Sequence, residues 1–260
     1  MKNNVGIIKD LSWSYRNKKL FEKLSTNFPK DSFISIIGPN GSGKSTLLRH
    51  LLRALPAARG TILLPNGDLN DYTQRSLALH LSYVPQQSKL EYEFTVFEAV
   101  AMGRYAHNLP LASLSYTDKR IINESLDSMN ILHLANQRAT ELSGGEYQRM
   151  LIARALAQQS SVILLDEPVS HLDVHNQKEI LNLLRKLVDE NRATVIAVLH
   201  DLNAVSAFSD LVIMLKQGEI VAEGDVNTVL TKERIEDVYK TTVSLLNGTN
   251  ERPIILQNWK

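Results

Sequence analysis

A glycine-rich stretch carries the most specific chemistry in the sequence. Residues 38–45 read GPNGSGKS and fit the pattern G-x-x-x-x-G-K-[S/T], in which backbone N–H groups surround phosphate oxygens. Glycine is needed there because a Cβ atom would obstruct the close approach of the backbone. Residues 38–45 are termed the phosphate cradle. The residues predicted to surround a nucleotide here are Gly38, Pro39, Asn40, Gly41, Ser42, Gly43, Lys44, Ser45 and Thr46.

The elements on either side place the cradle for this task. Phe33–Ile37 is a short apolar run that predicts a buried strand, and Lys44–Arg53 predicts a helix. The N-terminus of that helix points N–H groups and the positive end of its dipole at an anion. Lys44 supplies a charge to the β- and γ-phosphates, and Ser45 supplies a hydroxyl ligand for Mg²⁺. The alternative is a glycine-rich turn whose match is accidental.

Two acidic residues end a second apolar run. Val162–Leu165 predicts a buried strand, and Asp166 and Glu167 follow it at the position where open α/β sheets bind ligands. Asp166 is a candidate to hold Mg²⁺, and Glu167 is a candidate general base towards an attacking water. The alternative is that both acids end a strand in solvent. The presence of the cradle in the same chain favours the catalytic interpretation.

The segment LSGGE, residues 142–146, distinguishes among classes of nucleotide-binding protein. Ser143 and Glu146 have the spacing of a capping box that opens a helix. A capping box does not explain Gly144 and Gly145, because glycines in a first turn cost helix stability unless the backbone must approach another group closely. The two glycines therefore indicate that the backbone of this first turn approaches another group closely.

With this segment, the chain resembles the ABC ATPase family over most of its length. The motif continues through Gln148 and Arg149, as in that family. The resemblance implies that ATP and Mg²⁺ are bound and that two copies form an isologous homodimer around ATP. The residues that it assigns to ATP held by the opposite subunit are Ser143, Gly144, Gly145 and Asp173.

Four further positions match motifs of this family. Gln86 matches the Q-loop glutamine, which reaches Mg²⁺ and senses the membrane partner, and residues 170–173 (SHLD) match the D-loop. His200 matches the switch histidine that contacts the γ-phosphate, and Tyr15 matches the aromatic residue that stacks on adenine. The alternatives are a loop amide for Gln86, a strand-terminal histidine for His200 and a core-facing aromatic for Tyr15.

The resemblance also implies a complete catalytic set. Its catalytic residues are Glu167, His200 and Gln86, and its Mg²⁺ ligands are Ser45, Gln86 and Asp166. None of these positions departs from the family pattern. We therefore expect a cassette that hydrolyses ATP rather than a degenerate one.

The order of predicted elements indicates an α/β fold. Strands alternating with helices imply a P-loop NTPase core with a mainly parallel sheet, an N-terminal antiparallel β part and an inserted helical subdomain. We expect a single ABC ATPase domain over residues 1–260. Its predicted parts are an ATP-binding core (1–87 and 161–225), a helical signature subdomain (88–160) and a C-terminal extension (226–260). The remaining predicted elements are helices at Thr117–Met129, Glu146–Gln158 and Gln177–Glu190 and strands at Thr194–Val198, Leu211–Leu215 and Pro253–Gln257.

Composition and charge limit the partners. A formal net charge of +1 gives no general attraction to nucleic acid or to anionic lipid, so we expect no nucleic-acid partner. The chain has no cysteine and hence no disulfide bonds. Its apolar runs are much shorter than the roughly 20 residues that span a bilayer, and its N-terminus lacks the apolar run of a signal peptide. We expect a soluble, peripheral protein that other subunits hold at the cytoplasmic face of the cell membrane.

A narrower resemblance links the chain to importer ATPases for iron-siderophores, haem and cobalamin. It lies in residues 94–107, in Asp201–Ala204 and in residues 229–239. It implies a membrane permease and an extracytoplasmic substrate-binding protein as partners, without direct contact between this chain and the cargo. The alternatives are a zinc, manganese or molybdate importer ATPase, or a non-transport ABC ATPase such as one for iron–sulfur assembly. Three other classes are disfavoured. A DNA-repair ATPase would have a long coiled-coil insertion between the cradle and LSGGE, and a translation factor usually has two cradles, whereas this sequence has no such insertion and one cradle. A P-loop kinase would not need LSGGE.

Overall fold

The fold combines two strands of 12 residues and several shorter strands with helices of one to four turns. The computed structural model describes residues 3–16, 18–86, 93–107, 113–170, 172–248 and 251–258. The β-strands in these residues are β1 (Asn4–Tyr15), β2 (Lys18–Pro29), β3 (Phe33–Ile37), β4 (Ile62–Leu64), β5 (Gly67–Asp68), β6 (Leu81–Val84), β7 (Val162–Asp166), β8 (Thr194–Val198), β9 (Leu211–Lys216), β10 (Glu219–Gly224), β11 (Val243–Asn247) and β12 (Pro253–Gln257). The α-helices in the same residues are α1 (Lys44–Leu51), α2 (Gln74–His80), α3 (Val96–Ala101), α4 (Tyr116–Ser128), α5 (Gly144–Ala157), α6 (Val174–Asp189), α7 (Leu202–Phe208), α8 (Val226–Val229) and α9 (Lys232–Tyr239).

The chain divides into two compact units. The first consists of Met1–Asp71 with Thr194–Lys260, and the second is Tyr72–Ala193. The finer division predicted above, into core, helical subdomain and C-terminal extension, stays a prediction. Among the helices described, none has the length and apolar character that crossing a bilayer requires.

The first unit begins with an antiparallel sheet whose strands lie in the order β2–β1–β4–β5. Strands β1 and β2 pair along most of their length, as far as Tyr15 opposite Lys18. Leu11 is buried, whereas Ser12 and Ser14 are exposed. This alternation places one face of the strand on the core. The antiparallel β part predicted at the N-terminus is therefore confirmed.

A second set of strands in the first unit is mainly parallel, with β10 antiparallel to β9. Strands β10, β9, β3 and β8 lie side by side in that order. Strand β3 is parallel to both neighbours, with Ile36 opposite Val198 of β8 and opposite Ile213 of β9. Every residue of β3 and of β8 is buried, as expected for strands covered on both faces. The chain leaves both strands at the carboxyl edge of the sheet, where ligands bind in such folds.

The second unit contains the parallel pair β6 and β7, with Val84 opposite Leu165. All five residues of β7 are buried. Helices α3, α4 and α5 pack together, with Val100, Ile122 and Met150 fully buried between them. The mainly parallel sheet, the N-terminal antiparallel sheet and this helical segment form the predicted α/β fold.

A buried ion pair holds the segment that follows α3. Arg104 Nε donates to Asp118 Oδ1 at 2.8 Å, and both side chains are 6% exposed. Arg104 Nη1 also donates to the carbonyl O of Ala157 at 2.8 Å. A Cβ on Gly103 would lie 2.3 Å from the carbonyl O of Arg154, so glycine permits the close approach to α5. Gly103 and Arg104 therefore have a packing task within the helical segment.

We predict that Arg104→Met lowers the free energy of unfolding by about 3 kcal/mol, because it leaves the Asp118 carboxylate buried without its cation. Hydrogen bonds from Ser115 and then Arg104 hold the pKa of Asp118 at about 2, below its ordinary value of 3.8. The contribution of the charged pair is therefore present above a pH of about 4 and is lost as the pH falls towards 2. Urea denaturation at neutral pH measures the change.

The matched control is Arg120→Met. Arg120 pairs with Glu124 at 2.8 Å on the exposed face of the same helix, where both side chains are more than half exposed. An exposed pair of this spacing contributes only about 0.5 kcal/mol. Equal losses of stability in the two variants would contradict the structural task assigned to Arg104.

Candidate active site

The phosphate cradle connects β3 to α1, and glycines shape it. Gly38 has φ 143°, and a Cβ there would lie 2.1 Å from the carbonyl O of Leu215. Gly43, the N-cap residue of α1, has φ 108°, and a Cβ there would lie 2.6 Å from the ring of Phe21. At both positions a left-handed backbone coincides with a close neighbour, so a side chain would be strained and crowded. Gly41 has φ 77° in open space, where conformation alone favours glycine.

The turn between β9 and β10 supports the cradle. Gly218 N donates to the carbonyl O of Ser42 at 3.0 Å. Ser42 Oγ is buried, and the described residues offer it no hydrogen-bond partner. Such a hydroxyl costs free energy unless a ligand or water binds it. The crowded glycines and this hydroxyl fit a site at which a phosphate group is bound.

Lys44 supplies the positive charge of the cradle. The residue is only 5% exposed, and its Nζ donates to the carbonyl O atoms of Gly38 at 2.8 Å and Pro39 at 3.1 Å. Ser45 and Thr46 follow in the first turn of α1, which contains no acidic residue to oppose an anion. The ammonium group therefore already lies within the loop that would surround the phosphates.

Tyr15 lies beside the same loop. It is 43% exposed at the end of β1, which contradicts the alternative of a core-facing aromatic. Tyr15 Oη lies 3.3 Å from Thr46 Oγ1, and the Tyr15 ring meets Trp13 edge to face with 5.8 Å between centroids. An exposed ring held in this way can stack on a base. Its contact with adenine stays a prediction.

His200 emerges next to the cradle. Ile36 of β3 lies opposite Val198 of β8, and Leu199 N donates to the carbonyl O of Ile36 at 3.3 Å. Two residues beyond Ile36 the chain enters the cradle at Gly38, and two residues beyond Val198 it reaches His200. The structure therefore brings the switch-histidine candidate and the phosphate cradle to the same edge of the sheet.

In the second unit, Gln86 and Glu167 are in direct contact. Gln86 Nε2 donates to Glu167 Oε2 at 2.6 Å, just beyond the carboxyl ends of β6 and β7. Asp166, the last residue of β7, is 5% exposed. Glu167 has φ 52°, a conformation that is uncommon for a residue with a side chain and that occurs at functional sites. The two catalytic candidates and the acidic Mg²⁺ candidate of this unit therefore lie together.

The segment LSGGE opens α5 with the predicted capping box. Ser143 Oγ donates to Glu146 Oε2 at 2.6 Å, and Glu146 N donates to Ser143 Oγ at 3.4 Å. The side-chain bond from Ser143, followed by the backbone bond, lowers the pKa of Glu146 below its ordinary value. A phosphate at this helix end would compete with Glu146 for the hydroxyl proton of Ser143.

The two glycines of this segment have different surroundings. A Cβ on Gly145 would lie 3.0 Å from Asn176 Cγ, so packing within the chain favours glycine there. Among the residues that the structure describes, a Cβ on Gly144 would meet nothing closer than Leu172 Cδ2 at 4.0 Å, so packing against them does not explain glycine at that position. Gly144 is therefore available for the close approach of a group from outside the chain, as the resemblance implies.

Asn176 links the start of α5 to the D-loop, and the sequence analysis missed it. Asn176 N donates to Asp173 Oδ1 at 2.9 Å, and Asn176 Nδ2 donates to Asp173 Oδ2 at 2.6 Å. Asp173 thereby caps α6, and these bonds lower the pKa of its carboxyl group. An aspartate followed three residues later by asparagine before an amphipathic run is a capping signal that could have identified the pair. His171, in the predicted D-loop, lies outside the described residues.

Comparison with known proteins identifies the family. The model of the family described as "ABC transporter" matches residues 21–170, more than half of the chain. That interval contains the cradle, Gln86, the LSGGE segment and Glu167. The chain belongs to the ABC transporter ATP-binding proteins, and it is an ABC-type ATPase coupled to transport.

Three relatives and one solved structure are similar over long stretches. The chain is 38% identical to the ferric enterobactin transport ATP-binding protein FepC of Escherichia coli (strain K12), over 88% of this chain and 84% of FepC. It is 34% identical to the hemin import ATP-binding protein HmuV of Escherichia coli O157:H7, over 95% of this chain and 97% of HmuV. It is 36% identical to YvrA, an uncharacterized ABC transporter ATP-binding protein of Bacillus subtilis (strain 168), over 95% of this chain and only 56% of YvrA. An inward-facing structure of a proposed metal-chelate type ABC transporter has a TM-score of 0.84 and 29% identity, and the match covers 98% of both chains.

These findings establish the general activity. An ABC cassette binds ATP, and cassettes of this family dimerise and partner with permease subunits. The chain is the ATPase of an ABC importer.

We predict that Lys44→Ala raises the Kd for ATP by about 100-fold, because the phosphates lose a charge-assisted partner that is already held in the cradle. Titration calorimetry measures the affinity. Lys9→Ala, on the exposed side of β1, is the matched control and should leave the affinity unchanged. An affinity near that of the wild type in Lys44→Ala would disprove the assignment of the cradle.

Proposed function

We propose that this chain hydrolyses Mg-ATP to drive the import of a metal chelate of the iron-siderophore, haem or cobalamin type. The observation that carries the catalytic part is the 2.6 Å hydrogen bond from Gln86 to Glu167, because it orients a carboxylate beside the buried Asp166. The similarity to FepC and HmuV, named for ferric enterobactin and hemin, supports the class of cargo.

Each candidate residue has a separate role in the proposed reaction. The cradle and Lys44 hold the phosphates, while Glu167 accepts a proton from, or orients, the attacking water. Gln86 orients Glu167, and His200 stabilises the charge that develops on the γ-phosphate. Because Gln86 donates to Glu167 through Nε2, its Oε1 is the atom that would face a metal.

Mg²⁺ fits the oxygen donors that these motifs provide. The proposed ligands are the Ser45 hydroxyl, the Gln86 amide oxygen and the Asp166 carboxylate, which are the ligand types that Mg²⁺ prefers. When bound with ATP, the ion would neutralise charge on the phosphate oxygens. Its remaining ligands would come from phosphate and water, as is usual for Mg²⁺ in nucleotide enzymes.

The second half of each site is proposed to come from another copy of the chain. Ser143, Gly144 and Gly145 present a helix N-terminus, and no packing against the described part of the chain requires glycine at position 144. We assign them, with Asp173, to the γ-phosphate bound in the opposite copy. Two such contacts per dimer make the association depend on ATP and end on hydrolysis.

The proposed assembly couples this cycle to a membrane. The partners are a permease, which receives the conformational change at the cytoplasmic face, and an extracytoplasmic binding protein, which delivers the chelate. This chain would touch neither the chelate nor nucleic acid.

Glu167→Gln tests the catalytic assignment. We expect the variant to bind Mg-ATP, to form a stable dimer and to hydrolyse ATP at least about 100-fold more slowly, because an amide cannot act as a base. Gel filtration with ATP and Mg²⁺, together with phosphate release, measures both properties. Glu219→Gln, at an exposed position of β10, is the control and should behave as wild type. A Glu167→Gln variant that hydrolyses normally and elutes as a monomer would contradict the assignment.

Uptake by intact cells tests the class of cargo. A strain that lacks this chain should lose import of one labelled ferric siderophore, haem or cobalamin, and the wild-type chain but not Glu167→Gln should restore it. Loss of zinc, manganese or molybdate uptake instead would contradict the proposed cargo. Loss of iron–sulfur enzyme activity with normal uptake of every chelate would contradict a role in import.

A further inference from the structure

The C-terminal hairpin, formed by β11 and β12, is bound to the helix that follows His200. Asn203 Nδ2 donates to the carbonyl O of Ile255 at 3.0 Å, and Ile255 N donates to Asn203 Oδ1 at 2.8 Å. One amide side chain thus satisfies both backbone groups of a strand residue, as a neighbouring strand would. This pair connects α7 with the middle of β12 across 52 positions of sequence.

Two more contacts extend this attachment along α7. Ser206 Oγ, one turn after Asn203, donates to the carbonyl O of Pro253 at 2.7 Å. Arg252 Nη1 donates to the carbonyl O of Ser209 at 3.1 Å and to that of Ser206. A cation at the carboxyl end of a helix is bound by its last carbonyls. The hairpin therefore fixes both ends of α7.

Asn203 is only three residues from His200. Its backbone N donates to Oδ1 of Asp201, the N-cap of α7, at 2.8 Å, while its side chain binds β12. The backbone that leads from His200 into α7 is therefore held from two directions. Any rotation of α7 would change the direction in which His200 leaves the sheet.

Helix α9, which precedes the C-terminal hairpin, reaches the cradle. Tyr239, the last residue of α9, has a buried hydroxyl that lies beside the backbone of Gly38. Burial raises the pKa of Tyr239 to about 12, although the Gly38 backbone acts in the opposite direction, so the phenol stays neutral at physiological pH. Val243 N of β11 donates to Glu236 Oε1 at 3.0 Å, which joins α9 to the hairpin.

We propose that Asn203 is a positioning residue for ATP hydrolysis, through which the C-terminal hairpin fixes the start of α7 and hence the position of His200. This inference depends on the role of His200 in the proposed function. It also assigns a structural role to residues 201–204 and 229–239, for which the binding and hydrolysis of ATP alone provide no role.

The test is steady-state ATP hydrolysis by the full chain carrying Asn203→Ala. We expect kcat to fall by about 10- to 100-fold, because a small misplacement of a catalytic group costs this much, while the Kd for ATP changes by less than about 2-fold. Asn258→Ala is the matched control, since within the described residues the Asn258 side chain bonds to Ser244 of β11, with Nδ2 donating to Ser244 Oγ at 3.3 Å. It should leave both quantities unchanged.

A double-mutant cycle separates positioning of His200 from general stability. In a His200→Ala background, Asn203→Ala should cause little further loss, because the two substitutions act through one group. Independent, multiplying losses would overturn the inference. If Asn203→Ala does not fold, Asn203→Asp replaces it, because the aspartate keeps an acceptor for Ile255 N. This variant should lower kcat by a smaller factor than Asn203→Ala. An unchanged kcat in Asn203→Asp would overturn the inference. A wild-type kcat in His200→Ala alone would instead contradict the proposed function.

Discussion

Backbone N–H groups can surround a phosphate closely only where no Cβ atom obstructs their approach, and this constraint governs the arrangement of the cradle. The backbone must turn through left-handed conformations at Gly38 and Gly43 while it passes Leu215 and Phe21 at distances that exclude a side chain. Such a loop is stable only if rigid elements hold it. Strand β3, helix α1 and the turn that bonds to Ser42 provide that support.

The candidate site residues stand on short connections, so neighbouring side chains fix their directions. Gln86 binds Glu167, Asn176 binds Asp173, and Asn203 binds the C-terminal hairpin. In each case an amide holds a residue or a helix of the candidate site through hydrogen bonds. An amide suits this task because it donates and accepts without carrying a charge that would disturb the binding of ATP. Neutral amide side chains therefore surround the residues of the candidate site.

The sequence predicted the elements with strong periodic patterns and missed those defined by distant contacts. The bounds of β3, β8 and β12 agree with the apolar runs, because strands in a buried layer are marked by composition. Strands β10 and β11 were missed because pairing with a neighbouring strand stabilises them, and their sequences do not show the continuous apolar run of a strand in a buried layer. The phosphate cradle could be located from its spacing, whereas Gln86, His200 and Tyr15 were located through the resemblance to the ABC ATPase family. Asn176 and Asn203 could not be located, because their tasks depend on which backbone groups the fold brings near.

In the proposed dimer, each ATP lies between the cradle of one copy and the LSGGE segment of another. The chain has no cysteine, so single cysteines placed at Asn40 and at Ser143, both exposed, can report on that arrangement. The two variants are mixed, one with a mass tag, and oxidised with and without Mg-ATP. The account predicts that a disulfide between the tagged and untagged chains forms with Mg-ATP and not without nucleotide. Absence of this cross-link in chains that still bind ATP, or equal cross-linking without nucleotide, would contradict it.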